Sequence, residues 1–510
     1  MQHGVVAAGH GVSAQAAADI LSNGGNAYDA IAAGFFAACV AEPVLTSLGG
    51  GGFAMVRPKG GDPYVYDSFC QTPIKPRPAA ELDFLAIEAD FGTAQQTFHI
   101  GAGSIATPGI VAGLFAMHKD LGLMPMPEVV QPAIAAAKKG VRVTDFQAYV
   151  LQVVHAIYSR EPASRSLFAS PGKPDRLIQA GEIFTNPELA DVLDSLAQEG
   201  PALFYRGEIA QRMLAQTRGS GHLCAQDLEA YSVIRQRPLL RDFAGWQVAL
   251  NPPPASGGLL IALGLSLLQG LAIPQDNNQH AKLIACILNS TQEARIRCQA
   301  QGELSSEVLL DPELVRKYQK QISTRLAALR GTTHLSVLDS QGNAAALTVS
   351  NGEGCGTLLP GCGFMLNNML GEDDLNPQGF HQWAANQRLT SMMCPGMAAH
   401  ASGDMLVFGS GGSNRIRSAI LQVLVNFMGR KLPLDEAIEA PRLHVESQHL
   451  SIEGGHSDQL SADLQSMFQD LTRWDCRNLF FGGVHAVGQQ NQRFIGHGDS
   501  RRDGVCLKVS

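Results

Sequence analysis

The stretch Gly331-Thr332-Thr333-His334-Leu335-Ser336-Val337-Leu338-Asp339 is followed by the loop Ser340-Gln341-Gly342 and then by Asn343-Ala344-Ala345-Ala346-Leu347-Thr348-Val349-Ser350. Two short β-forming runs around a three-residue loop predict a hairpin in which Gly342 takes the left-handed position. Antiparallel pairing about Gln341 sets Thr332 opposite Ser350 and His334 opposite Thr348. A slip of one residue would turn every side chain to the other face. The register therefore decides whether two hydroxyls meet at the end of the hairpin.

Thr332 has the chemistry of a nucleophile if the backbone is cut in front of it. A threonine hydroxyl is weak until a base takes its proton, and in one known arrangement the threonine's own freed amine is that base. Such an amine has an ordinary pKa of about 7.7–8.0, so part of it is neutral near pH 7. Cleavage between Gly331 and Thr332 is one interpretation. Ordinary strand threonines, favoured by branching at Cβ, are the other.

Other motifs occur in order along the chain. They are Gly24–Ala30, Glu42-Pro43, Ser47–Phe53, Thr107–Gly113, Val130–Ala133, Pro252–Gly258, Leu366–Met369, Leu389–Met392 and Gly409–Ser413. With the hairpin, this series resembles the γ-glutamyltransferase family of N-terminal-nucleophile hydrolases, from about Gly4 to the segment Gly498–Arg501. The resemblance implies an α/β (α+β) fold, a four-layer αββα sandwich. It also implies a large chain, residues 1–331, and a small chain, residues 332–510, within one compact domain.

The resemblance assigns the catalytic roles. Thr332 matches the nucleophile, and Ser350 matches a hydroxyl that hydrogen-bonds it. Gly411 and Gly412 match the glycines whose backbone N–H groups stabilise the oxyanion. Because Ser-Gly-Gly-Ser replaces the family's Ser-Pro-Gly-Gly, Ser413 is an alternative for one of those two places. His334 is read as a strand residue rather than as a catalyst.

The resemblance also assigns substrate-binding residues. Thr390 and Ser391 match the hydroxyls that help to bind the substrate carboxylate. Glu372, with Asp373 as second choice, falls where an acid binds the substrate ammonium. The alternative for these acids is a solvated acidic turn, Glu372-Asp373-Asp374.

The chain departs from the family pattern where the substrate carboxylate would bind. Phe69 stands where the family has an Arg, and a ring cannot replace a bidentate guanidinium. Met369 replaces a polar residue, and Gly352 stands where the family has an Asn. The stretch between Asn368 and Thr390 is short compared with members that carry a lid. We therefore expect room for an acceptor or leaving group larger than a dipeptide.

Composition excludes some classes of protein. The net charge of −8 argues against a nucleic-acid surface. No apolar run is long enough to span a membrane, and no secretory signal is recognised at Met1-Gln2-His3. Ten cysteines without a C-x-x-C motif suit free thiols, and we expect a cytoplasmic protein. The Gly49–Gly52 run lacks a following Gly-Lys-Ser/Thr, so a phosphate loop is rejected, and no cofactor or metal is expected.

The sequence texture changes along the chain. Ser13–Val40 is helix-rich, turn-rich strands follow to about Asp67, and mostly helical segments run to about Leu329. Ala112–Leu121, Val129–Lys139 and Pro187–Leu196 have helical spacing. From Thr332 onward, short strands and Gly-rich turns are expected.

Three functions remain open. The first is a self-processing γ-glutamyl amide hydrolase or transferase that takes glutathione-like donors. The second is the same nucleophile acting on another acyl group, as in an acylase or a secondary-metabolism amidase. The third is an unprocessed, inactive homologue that acts as a binding protein. In the first two, the partners are a small-molecule amide and the two processed chains, which associate with each other.

Overall fold

The computed structural model describes residues 2–90, 95–300, 305–321, 332–376, 378–446, 449–465, 467–468 and 470–510. Gly331, and with it the predicted cleavage site, lies outside these residues. The small chain is described from its first residue, Thr332, onward. The α-helices are Gly11–Ser22, Ala27–Ala41, Ile110–Leu121, Met126–Lys139, Asp145–Val153, His155–Tyr158, Pro162–Leu167, Pro187–Glu199, Pro201–Tyr205, Glu208–Thr217, Ala225–Ala230, Ser256–Leu268, Asn277–Ala300, Ser306–Leu309, Pro312–Gln321, Arg415–Leu424, Leu434–Glu439 and Asp458–Gln465.

The helical region predicted near the N-terminus consists of two helices that meet at a capped break. The Asn26 side chain accepts hydrogen bonds from the backbone of Tyr28 and Asp29, and Asp29 bonds back to the Asn26 backbone. This capping box satisfies backbone donors that a helix start leaves open. It therefore fixes where the second helix, Ala27–Ala41, begins.

A seven-stranded antiparallel sheet carries the predicted hairpin. Its strands run in the order Ile234–Gln236, Tyr64–Ser68, Gly51–Arg57, Ala344–Ser350, Thr333–Asp339, Gly4–Ala8 and Val505–Val509. His334 pairs with Thr348, and Gly342 has φ +90°, so the predicted register and turn are confirmed. We call this the first sheet.

A second antiparallel sheet has six strands. They run in the order Leu239–Phe243, Trp246–Leu250, Gly396–His400, Met405–Gly411, Gly483–Gln490 and Arg493–His497. The remaining strands form small sheets: Leu443–Glu446 with His449–Ile452 and Asp470–Arg473, Leu85–Asp90 with Gln95–Ile100, Val141–Arg142 with Ile183–Phe184, and Ala169–Ser170 with Lys173–Leu177.

The two large sheets pack face to face, and helices cover their outer faces. Helices Gly11–Ser22 and Ala27–Ala41 lie on the first sheet, and Ser256–Leu268 and Arg415–Leu424 lie on the second. In the hairpin, Leu335 and Val337 join the helix-side core. Leu338 joins the other core, which includes the space between the sheets. This alternation is what a strand buried on both faces requires. The predicted four-layer αββα sandwich is confirmed.

The region expected to be mostly helical up to Leu329 also contains strands of both large sheets. Ile234–Gln236 pairs with Tyr64–Ser68, and Trp246–Leu250 pairs with Gly396–His400. These partners are far away in sequence, so their pairing leaves little trace in the local pattern. The prediction of a mainly helical region was incomplete for this reason.

Candidate functional site

Thr332 stands directly before the strand Thr333–Asp339, and its side chain is buried. Its carbonyl oxygen accepts a hydrogen bond from Arg502 Nη1 at 3.3 Å. Gly411 lies against the same carbonyl, since a Cβ added at Gly411 would come within 2.0 Å of that oxygen. Only glycine leaves room for this approach. The first residue of the predicted small chain therefore meets the end of a strand of the second sheet.

Ser350 lies opposite Thr332 when the hairpin register is continued by one pair. The last printed pair of this ladder is Thr333 with Val349, so the next pairs position 332 with position 350. Ser350 is buried, and its hydroxyl accepts a hydrogen bond from the Gly352 backbone at 3.0 Å. The structure thus brings the two predicted hydroxyl-bearing residues to the same end of the hairpin. Their catalytic roles remain predictions.

The same row of the first sheet continues to Phe69. Ser350 pairs with Gly51, and one step beyond the pair Gly52–Ser68 sets Gly51 beside Phe69. A Cβ at Gly51 would lie 2.7 Å from the Cys70 backbone nitrogen, so the position is closed to side chains. With strands about 4.8 Å apart, Phe69 is about 14 Å from Thr332 along this row. The predicted carboxylate-binding position is therefore in line with the predicted nucleophile.

Phe69 is buried and does not present a polar group. Its ring stacks on the ring of Phe53, with the centroids 5.3 Å apart. Its carbonyl accepts hydrogen bonds from the Tyr231 hydroxyl and from Arg388 Nη1, both at 2.8 Å. Sequence reasoning missed Arg388, although it stands two residues before Thr390. Because Arg388 also lies 3.1 Å from Asp67, its guanidinium is used to hold the turn at Phe69.

The glycines predicted to stabilise an oxyanion lie beside Thr332. Gly411 ends its strand, Gly412 has φ +122°, and Ser413 has φ +47°. The Ser413 hydroxyl donates a hydrogen bond to Asp374 Oδ2 at 3.2 Å. The turn is followed by the helix Arg415–Leu424, whose N-terminal end carries the positive part of the helix dipole. The surroundings of this turn suit a negative charge.

The two candidate acids have different environments. Glu372 is buried, and a Cβ at Gly352 would come within 2.2 Å of its Oε1 and 2.1 Å of Asn368 Oδ1. Asp373 is exposed. The solvated-turn interpretation therefore fits Asp373 and not Glu372. Glu372 lies over Gly352, two residues after Ser350.

Thr390 and Ser391 are bonded locally. The Thr390 hydroxyl donates to the Pro254 carbonyl at 2.9 Å, and the Ser391 hydroxyl accepts from the Met393 backbone at 3.1 Å. The Ser391 carbonyl accepts from the backbone of Ser256 at 2.8 Å. These contacts tie the pair to the start of the helix Ser256–Leu268, and none of them reaches Thr332.

His334 is a buried strand residue, as expected. Its ring nitrogens bond to the hydroxyls of Thr348 at 2.8 Å and Ser336 at 2.9 Å. Burial lowers the pKa of His334 well below its usual value, with a smaller contribution from His485. A neutral imidazole held by two hydroxyls fixes the interior of the hairpin.

Sequence reasoning also missed the role of Glu42, which it noted only as part of a Glu-Pro motif. Glu42 is buried at the end of the helix Ala27–Ala41 and accepts hydrogen bonds from Thr333 at 2.8 Å and Ser13 at 3.0 Å. Burial raises the pKa of Glu42 to about 7, although these hydrogen bonds oppose the rise. A titrating carboxyl therefore sits one residue away from Thr332.

Metal-ligand clusters and membrane spans were sought in the part of the chain that the structure describes. No group of three or more His, Cys, Asp or Glu side chains there is arranged to hold a metal ion. No described helix is both long and apolar enough to cross a membrane.

Comparison with known proteins bears on the same residues. The sequence profile of the γ-glutamyltranspeptidase family matches residues 13–509. The chain belongs to the γ-glutamyltranspeptidase family. It is 30% identical to the glutathione hydrolase proenzyme of Escherichia coli (strain K12), over 89% of this chain and 83% of that protein. It is 29% identical to the acylase ACY 1 proenzyme of Pseudomonas sp. (strain V22), over 99% of this chain and 94% of that one.

A solved structure supports the fold of this γ-glutamyltranspeptidase family member. The cephalosporin acylase from Bacillus halodurans superposes with a TM-score of 0.86. The match covers 99% of this chain and 96% of the acylase, at 23% sequence identity. At that identity the likeness establishes the shared fold, and the substrate must be argued from the site.

Proposed function

We propose that the chain is a self-processing amide hydrolase or acyltransferase that works through a Thr332 acyl-enzyme. Cleavage between Gly331 and Thr332 frees the Thr332 amine. The observation that carries this proposal is the position of Thr332: buried at a strand end, with its carbonyl against Gly411 and with Ser350 across the hairpin. Retention of these residues argues against an inactive binding protein.

The reaction needs no group from outside the chain except substrate and acceptor. The freed amine takes the proton of the Thr332 hydroxyl as the oxygen attacks the substrate amide carbonyl. The backbone at Gly411 and Gly412 stabilises the oxyanion, with Ser413 as an alternative contributor. The amide C–N bond breaks, and the leaving amine carries away the proton. Water or a second amine then attacks the ester, takes the acyl group and returns the hydroxyl to Thr332.

The two processed chains would remain together. In the first sheet, the strand Thr333–Asp339 pairs with Gly4–Ala8, which also pairs with Val505–Val509. Strands from both sides of the cleavage point thus alternate within one hydrogen-bonded sheet. Cutting one peptide bond leaves all of these pairings intact. We propose association of residues 1–331 with residues 332–510 on this ground, and a cytoplasmic location from the cysteine usage.

The first candidate acyl donor is a γ-glutamyl amide of the glutathione kind. In this proposal, Glu372 binds the donor ammonium, and Thr390 with Ser391 helps to bind its carboxylate. The burial of Glu372 two residues beyond Ser350 supports the ammonium site. The names of several relatives, glutathione hydrolase proenzymes, point the same way.

Another acyl group is the second candidate, and Phe69 favours it. The ring is stacked on Phe53 and supplies no charge to an α-carboxylate. The neighbouring guanidinium, Arg388, is already engaged by Asp67 and by the Phe69 carbonyl. An amide whose acyl group lacks the free carboxylate avoids this loss. The full-length relative named as an acylase fits this candidate.

An acyl panel tests both candidates. The purified protein is assayed against γ-glutamyl anilide and against anilides of glutaric, short aliphatic and aromatic acids, with Thr332→Ala as the blank. Turnover of any member that vanishes in Thr332→Ala supports the mechanism, and the best member identifies the acyl class. Turnover that persists in Thr332→Ala would refute Thr332 as the nucleophile.

A further inference from the structure

Arg502 is a buried cation that the reaction described above does not use. It belongs to the turn Ser500–Arg502, close to the C-terminus, and its side chain is buried. Its Nη1 donates to the Thr332 carbonyl at 3.3 Å, and its Nη2 donates to the Leu479 carbonyl at 3.2 Å. The guanidinium therefore connects the nucleophile residue to the segment that precedes Gly483–Gln490.

The burial of this guanidinium is costly for the fold. Among the described residues, no carboxylate forms an ion pair with Arg502, and its Nε has no hydrogen-bond partner. Burial lowers the pKa of Arg502 to about 10, against the raising effect of more distant acids, Asp499, Glu353 and Glu42. A buried charge without a direct counter-ion destabilises a protein unless something else requires it. Its main direct contacts are backbone carbonyls, and one of these belongs to Thr332.

Glu42 holds the next residue from the helix layer. Its Oε2 accepts the Thr333 hydroxyl at 2.8 Å, and its Oε1 accepts the Ser13 hydroxyl at 3.0 Å. Gly9 closes the same space, since a Cβ there would lie 2.7 Å from Glu42 Oε2 and 2.8 Å from Thr333 Oγ1. Thr333 thus has a fixed partner in the large chain. The hydrogen-bonding groups that receive these contacts, a carbonyl and a hydroxyl, take no part in the chemistry.

Cleavage makes this anchoring necessary. Once the bond before Thr332 is cut, that residue is a chain end, and chain ends lose order unless they are tied down. A nucleophile displaced by about 1 Å can lose about a hundredfold in rate. Contacts to the Thr332 carbonyl and the Thr333 hydroxyl survive the cut, because neither group is consumed.

We propose that Arg502 and Glu42 are positioning residues that clamp the first two residues of the small chain, Thr332 and Thr333, in the processed protein. This inference rests on the proposed function. Arg502 holds the Thr332 peptide from the second-sheet side, and Glu42 holds Thr333 from the helix layer. The clamp orients the Thr332 hydroxyl and amine for attack and makes no contact with substrate.

Two matched pairs of variants test the clamp. Thr333→Val removes the hydroxyl that bonds Glu42, while Ser13→Ala removes the other hydroxyl on the same carboxyl and leaves the strand end untouched. Arg502→Met removes the cation, while Arg502→Lys keeps a charged donor. Each full chain is purified, its processed fraction is measured by electrophoresis, and its melting temperature is recorded. Burst titration with the best anilide of the wild-type panel then gives kcat per processed site, alongside KM.

The clamp predicts that kcat per processed site falls about tenfold to a hundredfold in Thr333→Val and Arg502→Met, with KM changed less than about threefold. Ser13→Ala stays close to wild type, and Arg502→Lys recovers part of the loss. A folded Arg502→Met chain that stays uncut also supports the clamp, because the backbone attack uses the same hydroxyl. If Arg502→Met does not fold, Thr333→Val and Arg502→Lys decide the question.

The proposal is overturned if Thr333→Val and a folded Arg502 variant keep kcat per processed site within about twofold of wild type. It is also overturned if Ser13→Ala loses as much as Thr333→Val, because the effect would then be loss of stability near Glu42. Failure of the proposed function looks different, since an uncut or inactive wild type would show it before any variant is made.

Discussion

The ring of Phe69 stacks on the ring of Phe53 at a centroid distance of 5.3 Å, and both side chains are buried. Phe53 lies on the strand Gly51–Arg57, where it pairs with Thr348 of the hairpin. Where the family has a cation for the substrate carboxylate, this chain therefore has an aromatic pair built into the core. The consequence concerns which acyl groups are accepted.

Glutathione is expected to be a poor donor for the wild-type protein. Loss of the charge-assisted contact to the α-carboxylate removes roughly 1.5–3 kcal/mol, or about a tenfold to hundredfold in specificity constant. Phe69→Arg is expected to raise kcat/KM on glutathione if Glu372, Thr390 and Ser391 are placed as in the family. Phe69→Met, which keeps an apolar side chain, is the control, and melting curves exclude misfolding beside Arg388. High wild-type efficiency with no gain in Phe69→Arg would show that another residue already binds the carboxylate.

Gly352→Ala is expected to weaken donor binding through Glu372. Its Cβ would meet Asn368 Oδ1 at 2.1 Å and Glu372 Oε1 at 2.2 Å, and the backbone has φ +64°. Gly342→Ala is the matched control, because it has φ +90° with nothing within 4 Å of its Cβ. Both variants lose stability through the left-handed backbone. Only Gly352→Ala should raise KM for amine-bearing donors, and an equal KM for both would contradict the role of Glu372.

Glu42→Gln is expected to change how stability depends on pH. The pKa of Glu42 is raised from 4.5 to about 7 on folding, so the folded state holds its proton more tightly than the unfolded state. This contribution to the free energy of unfolding is present in full below about pH 4.5 and is lost as pH rises towards about 7. The loss is about 3 kcal/mol.

Glutamine does not titrate, so the free energy of unfolding of Glu42→Gln relative to wild type should rise across that window. Chemical denaturation of both proteins at pH 4.5, 6 and 7.5 measures it. A difference between the two proteins that does not vary with pH would mean that Glu42 ionises normally in the fold.

Local patterns sufficed to predict the hairpin and several helices. The Ser340-Gln341-Gly342 loop sets the register, and the apolar spacing of Pro187–Leu196 is found within the helix Pro187–Glu199. Contacts between distant segments could not be read in this way. Glu42 meets Thr333 across 291 positions, and Arg502 meets Thr332 across 170. No periodicity links such residues, so the support around the nucleophile became visible only in the fold.

The site residues show the same division. Thr332, Ser350, Gly411 and Gly412 were predicted through motifs, and the structure brings Thr332 and Gly411 into contact. The motif Glu372-Asp373-Asp374 gave no reason to separate its first two acids. Burial separates them, because the chain folds Glu372 over Gly352 and leaves Asp373 in solvent.

Thr332→Ala is expected to abolish both backbone cleavage and turnover, while Thr332→Ser retains slow processing. The alanine variant lacks the oxygen that attacks the backbone and forms the acyl-enzyme. Serine keeps that oxygen but lacks the methyl group that restricts its rotation. Electrophoresis over several days and the anilide assay measure the two effects. Turnover by Thr332→Ala would require a nucleophile elsewhere.

The central claim is that Thr332 becomes the first residue of a separate chain. Intact-mass measurement of the purified protein, after denaturing electrophoresis and incubation at neutral pH, tests it most directly. The account predicts two masses, those of residues 1–331 and of residues 332–510, with an N-terminal sequence that begins Thr-Thr-His. A single chain of 510 residues that persists through long incubation would contradict it.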